Sequence, residues 1–382
     1  MKVSRLLAIF SALGVLAIPA GFAGGHSEGF RVVADGLDNP RGLAFGPKGA
    51  LFVAEAGRGG PGPPCITAPE PPPTTHCYGP SGAVTRIWRG KQKRVVEALP
   101  SLAPPATGAA AQAGPTDVSF DGRRGYLVTG LGADPNVRAT QLAPVGGLFG
   151  QLWRFWPGLR RIADIAGHDA ANPDGVAFSN PYAVLATEGA RYVVDAGDNS
   201  LLRFRHGVIT EFAVFPPRPK PAVDPPLPGP PFIESVPDSI VRGPGGDLFV
   251  GDFTGFPFPV GSAIVHRISR NGVVSTYASG FTNIIDIAFD RKGHLYVLEF
   301  ATNGLLSGPP GALWRVPRGG GTKGESTEIE VEGLTFLDPG GLAIGHGAIY
   351  VSNHGTSAGD GQVVRIPLNS HGDEEEDNND DD

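Results

Sequence analysis

Cysteine is almost missing from this chain. Among 382 residues there are two, Cys65 and Cys77, so neither a four-cysteine zinc site nor a multi-bridge disulfide scaffold can be built. Their spacing is not C-x-x-C, and His76 is the one histidine beside them. The pair reads as a single disulfide closing a short proline-rich loop. The chain-entropy model assigns such a bridge about 3 kcal/mol, here on a surface excursion expected to have no core of its own. Long apolar runs are missing too. The one candidate, Leu6 to Ile18, follows Met1-Lys2-Val3-Ser4-Arg5 and precedes Gly21-Phe22-Ala23. A basic start, a short apolar stretch and small residues before a cut point predict a secretory signal peptide over 1–23, cleaved after Ala23. The stretch is shorter than the roughly 18 residues of a spanning helix, and no cysteine follows it to carry a lipid. The expectation is a secreted, extracellular protein with no membrane span, in a compartment that permits a disulfide.

Charge is sparse, at 18% of residues. The net value of −7 reflects mainly the extreme C-terminus, where residues 373–382 hold eight of the 38 acids and leave 30 against 31 basic residues elsewhere. A near-neutral body is expected not to bind nucleic acid, which needs a concentrated basic face. Residues 370–382 read as a solubilising, disordered acidic tail able to bind cations weakly. Catalytic motifs are equally scarce. The nine histidines show no H-E-x-x-H spacing, which leaves a zinc-protease site without support. Gly25-His26-Ser27-Glu28-Gly29 spells a nucleophile elbow, yet it sits at the cleavage point with no strand before it and no helix after it. Gly57-Arg58-Gly59-Gly60-Pro61-Gly62 spells a dinucleotide fingerprint, yet it runs into proline.

What is abundant is glycine and proline, together about a quarter of the chain, and they punctuate a repeat. Strand A follows an Asn/Asp-Pro-like lead-in, as in Asn39-Pro40-Arg41-Gly42-Leu43, Gly114-Pro115-Thr116-Asp117-Val118 and Asn180-Pro181-Tyr182-Ala183-Val184. It returns at Val236-Pro237-Asp238, Asn283-Ile284-Ile285-Asp286 and Asp338-Pro339-Gly340. Strand B, rich in β-branched and aromatic residues, ends on a polar residue in five copies: Glu55, Asp195, Asp252, Glu299 and Asn353. The other copy, Tyr126-Leu127-Val128-Thr129-Gly130, lacks the acid. Strand C carries an arginine in an apolar frame: Arg86, Arg154, Arg203, Arg267, Arg315 and Arg365. The mean step between these is about 56 residues, longer than a minimal four-stranded blade because of insertions such as 61–80 and 216–231. A strand D closes every copy but the last. Phe30-Arg31-Val32-Val33-Ala34-Asp35, ahead of the first strand A, can supply the missing one. The prediction is an all-β, six-bladed β-propeller over 24–369, with four-stranded blades and an N-terminal strand completing the last. Simple alternation would put Phe30, Val32 and Ala34 on one face of that strand.

In such a blade the start of strand A and the end of strand B share a face. Carboxylates and amides gathered there suit a hard cation such as calcium, which takes six to eight oxygen ligands. Equally, Asn and Asp cap turns through their own backbone. Asp117, Asp238 and Asp286 stand out, because other blades carry Gly or Ala near that position. These three are the candidate metal ligands or base, with Asn39 and Asn180 as neutral channel-mouth donors, while Asn283, Asp338 and the strand B acids read as structural. The strand C arginines read as packing or pairing residues, and Trp88, Trp153, Trp156 and Trp314 as packing between blades.

The repeats resemble NHL-type propellers, and the whole arrangement is similar to the ScyD/ScyE family of exported bacterial proteins. The resemblance rests on Gly36-Leu37-Asp38-Asn39-Pro40-Arg41-Gly42-Leu43, Leu51-Phe52-Val53-Ala54-Glu55-Ala56-Gly57 and Gly311-Ala312-Leu313-Trp314-Arg315-Val316. It covers nearly all of residues 30–369 and implies architecture, with no reaction to carry over. Similarity in fold to gluconolactonase- and strictosidine-synthase-like propellers implies a channel metal or base, although no contiguous motif of those enzymes is present. Two readings follow: an extracellular binding or scaffold module for a protein, glycan or small molecule, or a channel-sited metal-dependent hydrolase or lactonase.

Overall fold

The structure is a computed structural model that describes residues 29–68, 73–172, 178–223 and 226–368. The expected signal peptide and acidic tail lie outside the described residues. Six sheets, antiparallel but for a short parallel strand Gly321–Thr322 on the edge of blade 4, form six blades. From the axis outwards, blade 1 holds Pro40–Phe45, Leu51–Glu55, Thr74–Trp88 and Lys91–Ala103, and blade 2 holds Pro115–Asp121, Arg124–Thr129, Gln151–Trp156 and Arg160–Asp164. Blade 3 holds Pro181–Thr187, Ala190–Asp195, Ser200–Arg205 and Val208–Val214, and blade 4 holds Pro237–Arg242, Leu248–Asp252, Ala263–Ile268 and Val274–Phe281. Blade 5 holds Ile284–Phe289, Leu295–Glu299, Ala312–Val316 and a strand D of only Thr327–Glu328. Blade 6 holds Gly341–Gly345, Ala348–Asn353 and Ala358–Pro367, completed by Arg31–Asp38. Each strand A touches strand A of the next blade, and the sixth meets the first.

Burial peaks at strand B and falls outwards from it. Leu51–Glu55, Leu248–Asp252 and Leu295–Glu299 are buried at every residue, because strand B is covered on both sheet faces by the neighbouring blades. The outer Val208–Val214 is largely exposed. Every seam between blades carries its own apolar cluster. Between blades 4 and 5, for example, Phe249, Val265 and Phe281 meet Ile287, Leu295 and Val297. All four tryptophans pack into such clusters, Trp314 between blades 4 and 5 and the other three between blades 1 and 2.

The strand C arginines have a common partner. Each sits directly across from an aromatic residue near the start of strand B: Phe52–Arg86, Tyr126–Arg154, Tyr192–Arg203, Phe249–Arg267, Tyr296–Arg315 and Tyr350–Arg365. Such cross-strand pairs stabilise a sheet, and the long arginine stem covers apolar surface.

Closure runs as expected, with Arg31–Asp38 antiparallel to Ala358–Pro367 through Arg31↔Arg365, Val32↔Val364 and Ala34↔Val363. The simple alternation does not hold. A bulge between Val32 and Ala34 breaks the two-residue period, leaving Val32 44% exposed while Ala34 is 4% exposed. The proline-rich insertion also differs from expectation, because it has a core. Cys65–Ala68 pairs with Thr74–Trp88, bringing Cys65 opposite Cys77 in a disulfide. Ile66 and Leu102 then pack with Leu131, Leu142, Phe149 and Ala166 from the long loop and short helix (Ile165–Ala171) of blade 2. The insertions of two blades thus form one shelf beside the channel mouth. No helix among the described residues is long and apolar enough to cross a membrane.

Candidate functional site

The first residue of strand A pairs with the last of strand B, as in Pro40↔Glu55, Pro181↔Asp195 and Pro237↔Asp252. In blades 1 to 5 the register slips immediately after that first pair. An extra residue at this point re-aims the side chains around it, and the same slip in each blade turns adjacent strand A positions toward the axis. Arg41, Tyr182 and Asp238 hold the second position, Asp117 and Asp286 the third. Asp117, Tyr182, Asp238 and Asp286 line one axial cavity with Thr116 and Ile285. Its volume of about 10 Å³ is at the lower limit for one water molecule.

Asp117 and Asp286, three blades apart, do the same thing. Asp117 accepts from the amides of Val118 at 2.7 Å and of Val184, on the next blade, at 2.8 Å. Asp286 accepts from Ile287 at 2.8 Å and from Leu342, again on the next blade, at 2.6 Å. Each carboxylate staples two innermost strands whose amides would otherwise face the axis unpaired, and each uses both oxygens to do so. Asp238 differs. It is 5% exposed, and its Oδ1 has no hydrogen-bond partner among the described residues.

Burial dominates the electrostatics of this cluster. Loss of solvent first, and the neighbouring Asp286 second, push Asp117 and Asp238 well above the usual carboxylate range. Burial alone lifts Asp286 to about 7, against two amide hydrogen bonds that pull it down. The Tyr182 hydroxyl is raised by burial, with Arg41 beside it acting the other way. Desolvation disfavours the charged form, so the cluster carries less negative charge than its composition implies.

The other candidates are engaged elsewhere. Asn39 is fully buried in a left-handed conformation, φ 50°. Its Nδ2 donates to the carbonyls of Gly57 at 2.7 Å and Gly108 at 2.8 Å, and its Oδ1 accepts from Ala111. It thereby ties down the strap 104–113, which also reaches blade 6 through the Ala110 amide and the Thr356 carbonyl. Asn180 accepts from Leu131. Asn283 and Asp338 share the left-handed conformation, the backbone reason for Asn or Asp in that lead-in. The strand B acids cap the lead-in to strand A, a structural role. Glu55 accepts from the Asp38 amide, Asp195 from Asn180 and Glu299 from Thr282, while the Asn353 amide oxygen does so for Leu337. Their charge is balanced locally by Arg94 on Glu55, Arg218 on Asp252 and Lys323 on Glu299. Asp195, capped without a cation, rises by burial to about 6.

Sequence reasoning missed one cluster, because its members lie in three separate strand signatures. Ser235, Asp252 and His266 meet in the interior, with His266 Nε2 2.7 Å from Asp252 Oδ1 and 3.4 Å from the Ser235 hydroxyl. The serine hydroxyl instead donates to Asp252 at 2.6 Å. A nucleophile needs its proton facing the histidine and the acid on the far ring nitrogen, so this arrangement is a cap and not a relay. Among the described residues no three His, Cys, Asp or Glu side chains form a metal-ligating group.

No protein-family model and no curated protein matches the chain. Solved structures do. A gluconolactonase of Xanthomonas campestris aligns with a TM-score of 0.52 at 11% identity, over 89% of this chain and 89% of that one. A Bacteroides thetaiotaomicron protein of unknown function aligns with a TM-score of 0.50 at 12% identity, over 88% of this chain and 75% of its own. At such identities the likeness is one of fold, the six-bladed propeller.

Proposed function

We propose that the chain is an exported, non-catalytic propeller of the ScyD/ScyE type. It binds an extracellular protein, glycan or small molecule on its ring face and insertions. One observation carries this reading: the channel that would house a reaction has room for about one water molecule, and two of its three acids spend both oxygens on main-chain amides. The shelf built from Ile66, Tyr78, Leu142 and Phe149 supplies a rigid wall beside the mouth against which a ligand can seat. The test is turnover by the purified protein of a panel of lactones, esters and lyase substrates. No turnover is expected; turnover abolished by Asp286→Ala overturns the proposal.

Asp238 favours a second reading, since a buried carboxylate oxygen with no partner among the described residues is an open ligand position. In a channel-sited hydrolase or lactonase, Asp117 and Asp286 would leave their main-chain amides to join Asp238 around a hard cation such as calcium, which would polarise a substrate carbonyl. Metal analysis after dialysis against calcium separates the two. One equivalent bound and lost in Asp238→Ala supports the enzyme, and none bound supports the binding module.

A further inference from the structure

Averaged over the chain, the body is nearly neutral, but its charges are not evenly placed. Turns between strands A and B and between C and D all lie on the face opposite the channel acids. They carry Lys48, Arg123, Arg124, Arg242, Arg291 and Arg318. Of the acids on that face, Asp121 pairs with Arg191, Asp247 with Arg267 and Asp290 with His294, while Glu188 stands against the six cations. The surplus on this face is therefore positive.

Between blades 5 and 6 this face opens into a cleft of about 360 Å³, lined in part by Arg291, Lys292, Arg315, His346, Leu368 and the Asp290–His294 pair. Leu368 is the last described residue, and its amide donates to the Gly347 carbonyl at 3.0 Å. Fourteen residues follow it in the sequence, with the eight acids beginning at Asp373. Five residues of extended chain reach at most roughly 17 Å, so the first acids start within reach of the cleft. On the other side of Leu368 a second hollow is bordered by Glu328, Glu330 and Glu332, which repel an acidic segment.

We propose that this cleft is a binding site for runs of carboxylates and that its occupant is the chain's own acidic tail, residues 371–382. Complementary charge supplies the attraction. Tethering at Leu368 makes the encounter intramolecular, at an effective concentration that a free anion seldom matches. The tail then masks the basic face, and an external carboxylate-rich partner has to displace it. This inference concerns the face away from the channel and stands apart from either reading given above.

The experiment uses a fluorescent peptide of residues 371–382 and two forms of the protein, the whole chain and one ending at Ser370. Peptide anisotropy at low salt should show binding to the shortened form at least ten-fold tighter than to the whole chain, weakening steeply as salt rises. In the shortened form, Arg291→Glu with Lys292→Glu should remove at least ten-fold of that affinity, and Arg242→Glu, on blade 4 of the same face, should leave it unchanged. Circular dichroism confirms that each variant is folded. Equal binding by both forms, or none, overturns the proposal. So does equal loss in Arg242→Glu, which would mean a diffuse basic face and no site.

Discussion

Asp286→Asn isolates the cost of keeping a carboxyl group at the axis of the ring. Burial raises this group from 3.8 in the unfolded chain to about 7 in the folded one, a shift of about 3 units or about 4 kcal/mol. Between these values the folded protein holds the proton and the unfolded chain has lost it, so stability falls as pH rises. The contribution is intact below pH 4 and is lost as pH climbs through about 7. Asparagine cannot ionise, and its carbonyl can still accept one of the amides of Ile287 and Leu342. The variant should therefore match or slightly trail the parent at pH 4.5 and gain on it by about 4 kcal/mol at pH 8. For a ring of about 330 described residues, an unfolding entropy near 2.1 cal/mol/K per residue converts this to about 6 °C. Removing the negative charge that raises Asp117 and Asp238 acts in the same direction. Scanning calorimetry of both proteins at the two pH values gives the difference of differences. A gap in melting temperature that does not change between pH 4.5 and pH 8 refutes the assignment of a raised value to Asp286.

Deleting residues 24–36 takes away most of the strand that closes blade 6, so the melting temperature should fall sharply and light scattering rise; an unchanged melting temperature contradicts the closure. Glu55→Ala removes the 2.6 Å partner of Arg94, which Asp38 still holds, and uncaps the Asp38 amide, a loss of about 1–3 kcal/mol by denaturant titration. Val236, a β-branched residue at φ 49°, sits where three other blades have Asn or Asp in the same conformation, and Val236→Asn should stabilise by about 1 kcal/mol. Cys65→Ser should loosen the shelf and spare the ring, so hydrogen exchange should quicken at Ile66 and Phe149 and stay slow at Val250 and Val297.

The blades were legible because each is specified by neighbours in sequence. The aromatic and β-branched run of Leu248–Asp252, a glycine turn and a proline lead-in act over a few residues, and six imperfect copies reinforce one another where a single copy would be ambiguous. The closing strand was legible for the same reason, as a fourth strand displaced to the other end of the chain. Its bulge was not, since nothing in Val32-Val33-Ala34 marks where one residue is skipped. The axial acids were found by their departure from the repeat, which is a valid signal, but their work was hidden. Asp117 and Asp286 bind amides of Val184 and Leu342, residues 67 and 56 positions away, and only the ring brings these together.

Charge shows most plainly how averaging along a sequence can mislead. Counting acids and bases gives a neutral body, yet a propeller sorts its residues by their place in the repeat. Strand B ends and strand A beginnings go to one face, and the A–B and C–D turns go to the other. Acids occupy the first set because the lead-in needs a cap, as Glu55, Asp195 and Glu299 provide. Arginines recur in strand C because an aromatic residue lies across from each, as Tyr350 does from Arg365. Two local structural requirements, each repeated around the ring, thus gather acids at one end of the channel, where Arg94, Arg218 and Lys323 balance three of them, and arginines toward the opposite rim. The polarity follows from the fold and needs no ligand to explain it. It nevertheless decides which face can attract an anion, and the acid-rich segment 373–382 follows a strand that ends on that face.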